Sequence, residues 1–281
     1  MSRSPILLVF LSLAACSLNI SEQEVFQPNP DNRRPLNGPL EIDRESTLPA
    51  GIELQHTRID SEAGPIAITL AETDSDRLIV LCGGNAADRK TSGAGYLSGR
   101  AQFGDVMLFD YPGYGDSAGT PTAAEIEQAI AAVAAAAKEH DPEELIVWGQ
   151  SLGGFICAAM ASDMLEDVDA VVFETSARNA KEVAASWTPW YAKPFVTVTI
   201  SDDLDAWDNV NALASFSGKV IVLGAGNDRV LPVSLSRSLA EDLEDAGLDT
   251  EYIEFEDAGH NNVGRHPGFG DAVNRALQGR P

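Results

Sequence analysis

Glu144-Leu-Ile-Val-Trp148-Gly149-Gln150-Ser151-Leu152-Gly153-Gly154-Phe155-Ile-Cys157 is the stretch on which the fold turns. A continuous apolar run of strand length, Glu144–Trp148, leads into a Gly-x-Ser-x-Gly motif, and an apolar helical stretch, Leu152–Met164, follows at once. The motif alone is a weak signal; a strand before it and a helix after it make it a nucleophile elbow. The glycines permit the sharp, strained turn that lifts Ser151 out of the sheet. The helix start then offers a positive dipole end and the backbone N–H of Leu152. The plain alternative is a glycine-rich turn carrying an idle, solvated serine.

Outward from the motif the chain alternates strand and helix. Apolar runs recur at Arg77–Cys82, Asp105–Phe109, Ala170–Phe173, Lys219–Leu223 and Glu251–Phe255, with a hairpin over Ile52–Ile59 and Pro65–Glu72 before them. Uninterrupted apolar runs suit strands buried on both faces. Helical stretches at Ala123–Glu139, Leu152–Met164, Pro232–Ala246 and Gly268–Leu277 separate them. The pattern predicts an α/β protein with a mostly parallel, eight-stranded sheet, an antiparallel N-terminal hairpin and helices on both faces. One stretch breaks the rhythm: about 177–218 holds Trp187, Trp190, Tyr191, Phe195 and Trp207, and is expected to form a small cap after the sixth strand.

A serine hydroxyl needs a base to act as a nucleophile near pH 7. Of four histidines, His56 lies in the hairpin and His140 ends a surface helix; His260 follows the last strand, at the carboxyl edge where such sheets build their sites. His266 is its only rival within reach. The carboxylate that orients the base is expected at Asp228, at the end of the penultimate strand, with Glu174 in reserve. The loop Cys82-Gly83-Gly84-Asn85 after the third strand supplies a second backbone N–H for an oxyanion, that of Asn85, beside that of Leu152. The order Ser151, Asp228, His260 is the order this fold requires.

The first fifteen residues stand apart. Met1-Ser-Arg3 and the apolar Pro5–Leu13 are too short to span a bilayer, and Leu13-Ala14-Ala15-Cys16 resembles the lipobox of bacterial lipoproteins. That resemblance implies a signal peptide over 1–15, lipidation of Cys16, a membrane anchor there, and a cell-envelope lipoprotein facing the periplasm or on the outer membrane. An ordinary secretory signal or an uncleaved buried segment are the other readings. Residues 16–48, polar and rich in Pro and Asn, are expected to be a flexible tether to a domain over 49–281. Cys82 and Cys157 are expected as buried free thiols, and no zinc spacing exists. With 19 basic against 43 acidic residues the net charge is −24, which excludes nucleic acid as a partner and disfavours an anionic bilayer.

Gly83-Gly84-Asn85-Ala86, Leu108-Phe-Asp-Tyr-Pro-Gly-Tyr-Gly-Asp-Ser117, Gly149–Gly154, Gly226-Asn-Asp-Arg-Val-Leu-Pro232 and Ala258-Gly-His-Asn261 together resemble the small-cap α/β-hydrolases. That group includes membrane-associated depalmitoylating thioesterases and bacterial esterase-like proteins; the likeness covers about residues 50–280. It implies an ester or thioester hydrolase working through an acyl-enzyme, without cofactor or metal, on a small acyl substrate. Such proteins often carry His-Gly-Asn-Ala at the oxyanion loop; Gly83 stands here in place of the histidine. Three rivals remain: an aminopeptidase or amidase, with Asp202, Asp203, Asp205 and Asp208 holding a substrate amine; an acyltransferase; and a non-catalytic lipoprotein on a hydrolase fold.

Overall fold

Strands that are apolar throughout must be covered on both faces, and that requirement sets the architecture. The structure, a computed structural model, describes residues 16–192 and 195–279, so the expected signal peptide lies outside the described residues. The described residues open with β1 (Cys16–Ile20) and one turn of helix, α1 (Glu22–Val25). The hairpin β2 (Glu53–Ile59) and β3 (Ile66–Glu72) follows, then β4 (Arg77–Cys82), α2 (Arg89–Arg100), β5 (Asp105–Phe109) and α3 (Ala123–Glu139). Next come β6 (Glu144–Gln150), α4 (Gly153–Asp163) and β7 (Ala170–Glu174). The stretch after β7 carries α5 (Ala180–Trp187), β8 (Val196–Ile200), α6 (Asp202–Asp205) and α7 (Asn209–Ala212). The chain then returns to the sheet with β9 (Lys219–Ala225), α8 (Val233–Asp245), β10 (Asp249–Phe255) and α9 (Phe269–Leu277).

The large sheet has eight strands in the order β10-β9-β7-β6-β4-β5-β3-β2. Strand β3 runs antiparallel to both of its neighbours, and the remaining neighbouring pairs are parallel. Leu81, Trp148, Val172 and Ile221 stand in one register row, which brings the carboxyl ends of β4, β6, β7 and β9 to a common edge. Alternate residues serve opposite faces. Leu78, Val80 and Cys82 pack with α3, α4 and α8, whereas Ile79 and Leu81 pack with α2 and α9.

Helix α2 was not among the expected helices. Its sequence, Arg-Lys-Thr-Ser-Gly-Ala-Gly-Tyr-Leu-Ser-Gly-Arg, has few apolar residues. It is held instead by Asp88, which caps it through the N–H of Thr91 at 3.0 Å, and by the buried Arg89 and Arg100 at its ends. Cys82 and Cys157 are free and buried, with the Cys157 thiol donating to Cys82 Sγ at 2.9 Å; burial pushes the Cys157 thiol well above its ordinary range, so it stays protonated.

Residues 16–48 do not behave as a flexible tether. Strand β1 pairs in parallel with β8, Cys16 opposite Val196 and Ile20 opposite Ile200. Phe26 is buried edge-on against Trp207, with ring centroids 5.5 Å apart. Arg34 reaches Asp88 and Asp116 at 3.5 and 3.3 Å, and the buried Ile42 packs over Gly93. The apolar anchors are single residues, too far apart to leave any periodicity in the sequence, and each finds its pocket only in the folded domain.

Candidate active site

Ser151 sits between the end of β6 and the start of α4 with φ = 55°, a left-handed conformation that costs a non-glycine residue energy. The turn closes because its neighbours have no side chains: a Cβ on Gly149 would strike the Gly153 backbone, and one on Gly153 would strike the Cys82 carbonyl. The end of β7 braces the strained residue from both sides. Ser151 N–H donates to the Glu174 carbonyl at 2.9 Å, and Ser176 Oγ donates to the Ser151 carbonyl at 3.0 Å. Thr175, itself at φ = 47°, donates its hydroxyl to the His260 carbonyl at 3.3 Å. One three-residue turn therefore fixes both Ser151 and the His260 loop.

His260 Nδ1 lies 2.7 Å from Asp228 Oδ2. The Asp228 side chain is 2% exposed, and its other oxygen accepts the N–H groups of Val230 and Leu231 at 2.8 and 2.9 Å. A carboxylate so tied can neither rotate nor leave the imidazole. Its hydrogen bond to Nδ1 fixes the tautomer that leaves Nε2 as an acceptor. Among the described residues neither His260 Nε2 nor Ser151 Oγ makes a hydrogen bond. Gln150, next to the serine, donates to the His260 carbonyl and to Asn261 Oδ1 at 3.3 and 3.1 Å, a second link between the two loops.

The N–H groups of Leu152 and Asn85 also find no acceptor among the described residues, and both residues line the cavity that Ser151 enters. From the sequence, Asn85 is expected to act only through its backbone. Its side chain proves to be the most heavily bonded group of the loop: Nδ2 donates to the Val25 carbonyl at 2.7 Å, while Oδ1 accepts from Gln27 N–H, Tyr114 Oη and Ala86 N–H at 3.0, 2.9 and 3.0 Å. Burial raises the Tyr114 hydroxyl well above its ordinary pKa, so it remains a donor. Tyr111 Oη donates to the Gly83 carbonyl at 2.6 Å. The 110–117 loop and the N-terminal segment thus grip the Gly83–Asn85 loop from two sides.

The cavity has a volume of about 370 Å³. Its wall is apolar, built chiefly from Ile20, Val25, Phe155, Val183, Trp187 and Leu231. Asp202, Asp203, Asp205 and Asp208 are absent from its lining; Asp208 instead caps α7 and holds Arg178 at 2.8 Å. The other histidines are spent elsewhere. His266 packs on Phe255 and accepts from Gly268 N–H, His56 bonds Thr69 and Glu45, and His140 reaches Asp105. Glu174 Oε2 takes Arg100 and Trp148 Nε1, which removes it as the partner of His260. No cluster that could hold a metal ion occurs among the described residues.

A family model described as alpha/beta hydrolase fold matches residues 78–202, from β4 through the elbow into the cap stretch. The chain has the α/β-hydrolase fold. An uncharacterized protein of Mycobacterium tuberculosis is 28% identical over 236 residues, which is 81% of this chain and 78% of that one. The human alpha/beta hydrolase domain-containing protein 17B is 25% identical over 184 residues, 64% of this chain and 59% of its own. Among solved structures, an esterase of Pyrococcus furiosus superposes with a TM-score of 0.63 at 16% identity, over 82% of this chain and 93% of that one. These likenesses agree with the fold that the structure shows.

Proposed function

We propose that this protein is a serine esterase or thioesterase that cleaves acyl substrates through a Ser151 acyl-enzyme. The observation that carries the reading is a strained Ser151 with an unbonded Oγ at an apolar cavity, beside two N–H groups without acceptors among the described residues, on turns whose Gln150 and Thr175 also hold the loop of the His260–Asp228 pair at 2.7 Å. In the proposed reaction Ser151 Oγ attacks the acyl carbonyl while His260 Nε2 takes its proton and Asp228 steadies the imidazolium. The N–H groups of Asn85 and Leu152 donate hydrogen bonds to the carbonyl oxygen and stabilise the negative charge that gathers there. His260 returns the proton to the departing alcohol or thiol. Water then repeats the sequence on the acyl-enzyme and releases the acid.

The apolar wall supports an acyl chain rather than a charged group in the cavity. A substrate amine would find Glu24 as the only acid in the lining, and that carboxylate is already engaged by Ser21, which weighs against the aminopeptidase reading. The lipobox supports a site of action in the cell envelope, on a domain anchored by acylated Cys16. The test is fluorophosphonate labelling together with hydrolysis of a p-nitrophenyl ester series of rising chain length. Ser151→Ala is expected to abolish labelling and lower kcat by at least about 10⁴-fold with an unchanged Tm. A wild-type protein that neither labels nor hydrolyses any ester defeats the proposal. Product analysis with an added alcohol separates hydrolysis from acyl transfer.

A further inference from the structure

Among the described residues six large hydrophobic side chains are exposed, and five of them, Trp187, Trp190, Tyr191, Phe195 and Val230, belong to the cap or the rim of the cavity. Trp190 is 82% exposed, Tyr191 64% and Trp187 61%; an ordinary soluble surface scatters such residues singly. Trp190 and Tyr191 stand edge to face, their centroids 6.0 Å apart. Trp187 Nε1 donates to the Val230 carbonyl at 2.8 Å, which fastens the end of α5 to the loop after Asp228. A second apolar cavity of about 380 Å³, lined by Ile20, Ala184, Trp187, Pro189, Ala192 and Val196, shares Ile20, Ala184 and Trp187 with the one at Ser151. The exposed aromatic face and the cavity at Ser151 therefore share an apolar wall.

The position of β1 says what this face meets. Its first residue, Cys16, pairs with Val196, directly after the exposed Phe195. A lipid on Cys16 would enter the bilayer at the edge of the aromatic face, because no flexible tether separates the cysteine from the domain. Tryptophan and tyrosine rings suit the headgroup boundary, with an apolar body and a polar edge. No helix among the described residues is long and apolar enough to cross a membrane. The nearby α6, Asp202–Asp205, repels anionic headgroups.

We propose that the cap face around Trp187, Trp190, Tyr191 and Phe195 docks on a zwitterionic lipid surface, so that the cavity at Ser151 opens into the bilayer and draws its acyl substrate from there. The docking rests on the lipidation of Cys16, and the substrate claim on the serine-hydrolase reading; the experiment separates each from the face itself. The lipidated full chain is reconstituted in phosphatidylcholine vesicles carrying brominated acyl chains, and tryptophan emission is followed. Trp148 and Trp207 are buried, so quenching reports Trp187 and Trp190. In a second arm the full chain with Cys16→Ser, which has no anchor, is titrated with the same vesicles. The expected results are strong quenching in the first arm and measurable partition in the second. Partition should weaken at least about tenfold on Trp190→Ser/Tyr191→Ser and fall when phosphatidylglycerol is added. The double variant should still hydrolyse a soluble short-chain ester at the wild-type rate but lose most hydrolysis of a vesicle-borne acyl ester. An anchored wild type without quenching, or equal vesicle hydrolysis by both proteins, overturns the proposal. So does a lipid-indifferent dimer abolished by the double variant, which would give the face to a second copy of the chain. Failure on the soluble ester overturns the hydrolase reading instead, and leaves the quenching result standing.

Discussion

At the scale of single residues, the site depends on groups that hold other groups still. Ser151, Asp228 and His260 were legible in the sequence because each follows within a few residues of the end of a strand. Thr175 and Ser176 were not, since a Thr-Ser pair after a strand has no pattern that distinguishes it from any other turn. Asn85 falls between: its position was legible, while its four side-chain bonds depend on the N-terminal segment and Tyr114, which only folding brings near. Those bonds place the Asn85 N–H that we assign to the oxyanion. Asn85→Ala keeps that N–H but frees its loop. Loss of a whole oxyanion donor costs about 10²–10³-fold, so a loosened donor should lower kcat by roughly 10- to 100-fold. KM should change little, because the stabilised charge exists only in the transition state. Steady-state kinetics decide: a rise in KM at constant kcat would make Asn85 a substrate-binding residue instead of a positioning one.

At the scale of elements, the large parallel sheet was visible because its strands are buried on both faces and therefore apolar throughout. Helix α2 and the N-terminal segment were hidden for the opposite reason. They are held by buried charge and by isolated apolar anchors, which leave few apolar residues to read. The charge is concentrated where α2 meets the 110–117 loop: Arg89 N–H donates to Asp110 Oδ1 at 2.5 Å, Arg89 reaches Asp116 at 3.0 Å, and Asp116 N–H donates to Asp110 Oδ2 at 2.9 Å. Burial outweighs the pull of Arg89 and pushes the Asp110 carboxyl from 3.8 up to about 7. The folded chain then keeps a proton that the unfolded chain releases at about pH 4. The stability linked to that proton is full below about pH 4 and is lost as pH rises through about 7. Asp110→Asn has no proton to lose there. Across pH 4 to 8 the wild-type Tm should therefore fall relative to that of the variant, with the change spent by about pH 7. Parallel Tm curves would mean that Asp110 is ionised throughout and paired with Arg89.

At the scale of the whole molecule, a net charge of −24 surrounds a cavity whose wall is almost free of charge. The field does not act on the chemistry of a neutral ester, but it acts on the approach of any anionic substrate. At about 10 mM ionic strength the Debye length is about 30 Å, comparable to a domain, and at about 150 mM it shrinks to about 8 Å. An acyl chain delivered as an anionic thioester, such as an acyl-coenzyme A, must cross that field to reach Ser151, whereas a p-nitrophenyl ester of the same chain length does not feel it. Raising the salt from about 10 to about 150 mM should thus increase kcat/KM for the anionic thioester several-fold and leave the neutral ester within about twofold. The comparison also tests how uniform the field is near the site. Arg44, Arg100 and Arg265 line a polar cavity of about 460 Å³ that shares Asn85 with the apolar one. If those arginines dominated locally, the anionic substrate would be drawn in and its kcat/KM would fall with salt. The sign of the salt slope therefore decides between a site that rejects anionic leaving groups and one that attracts them.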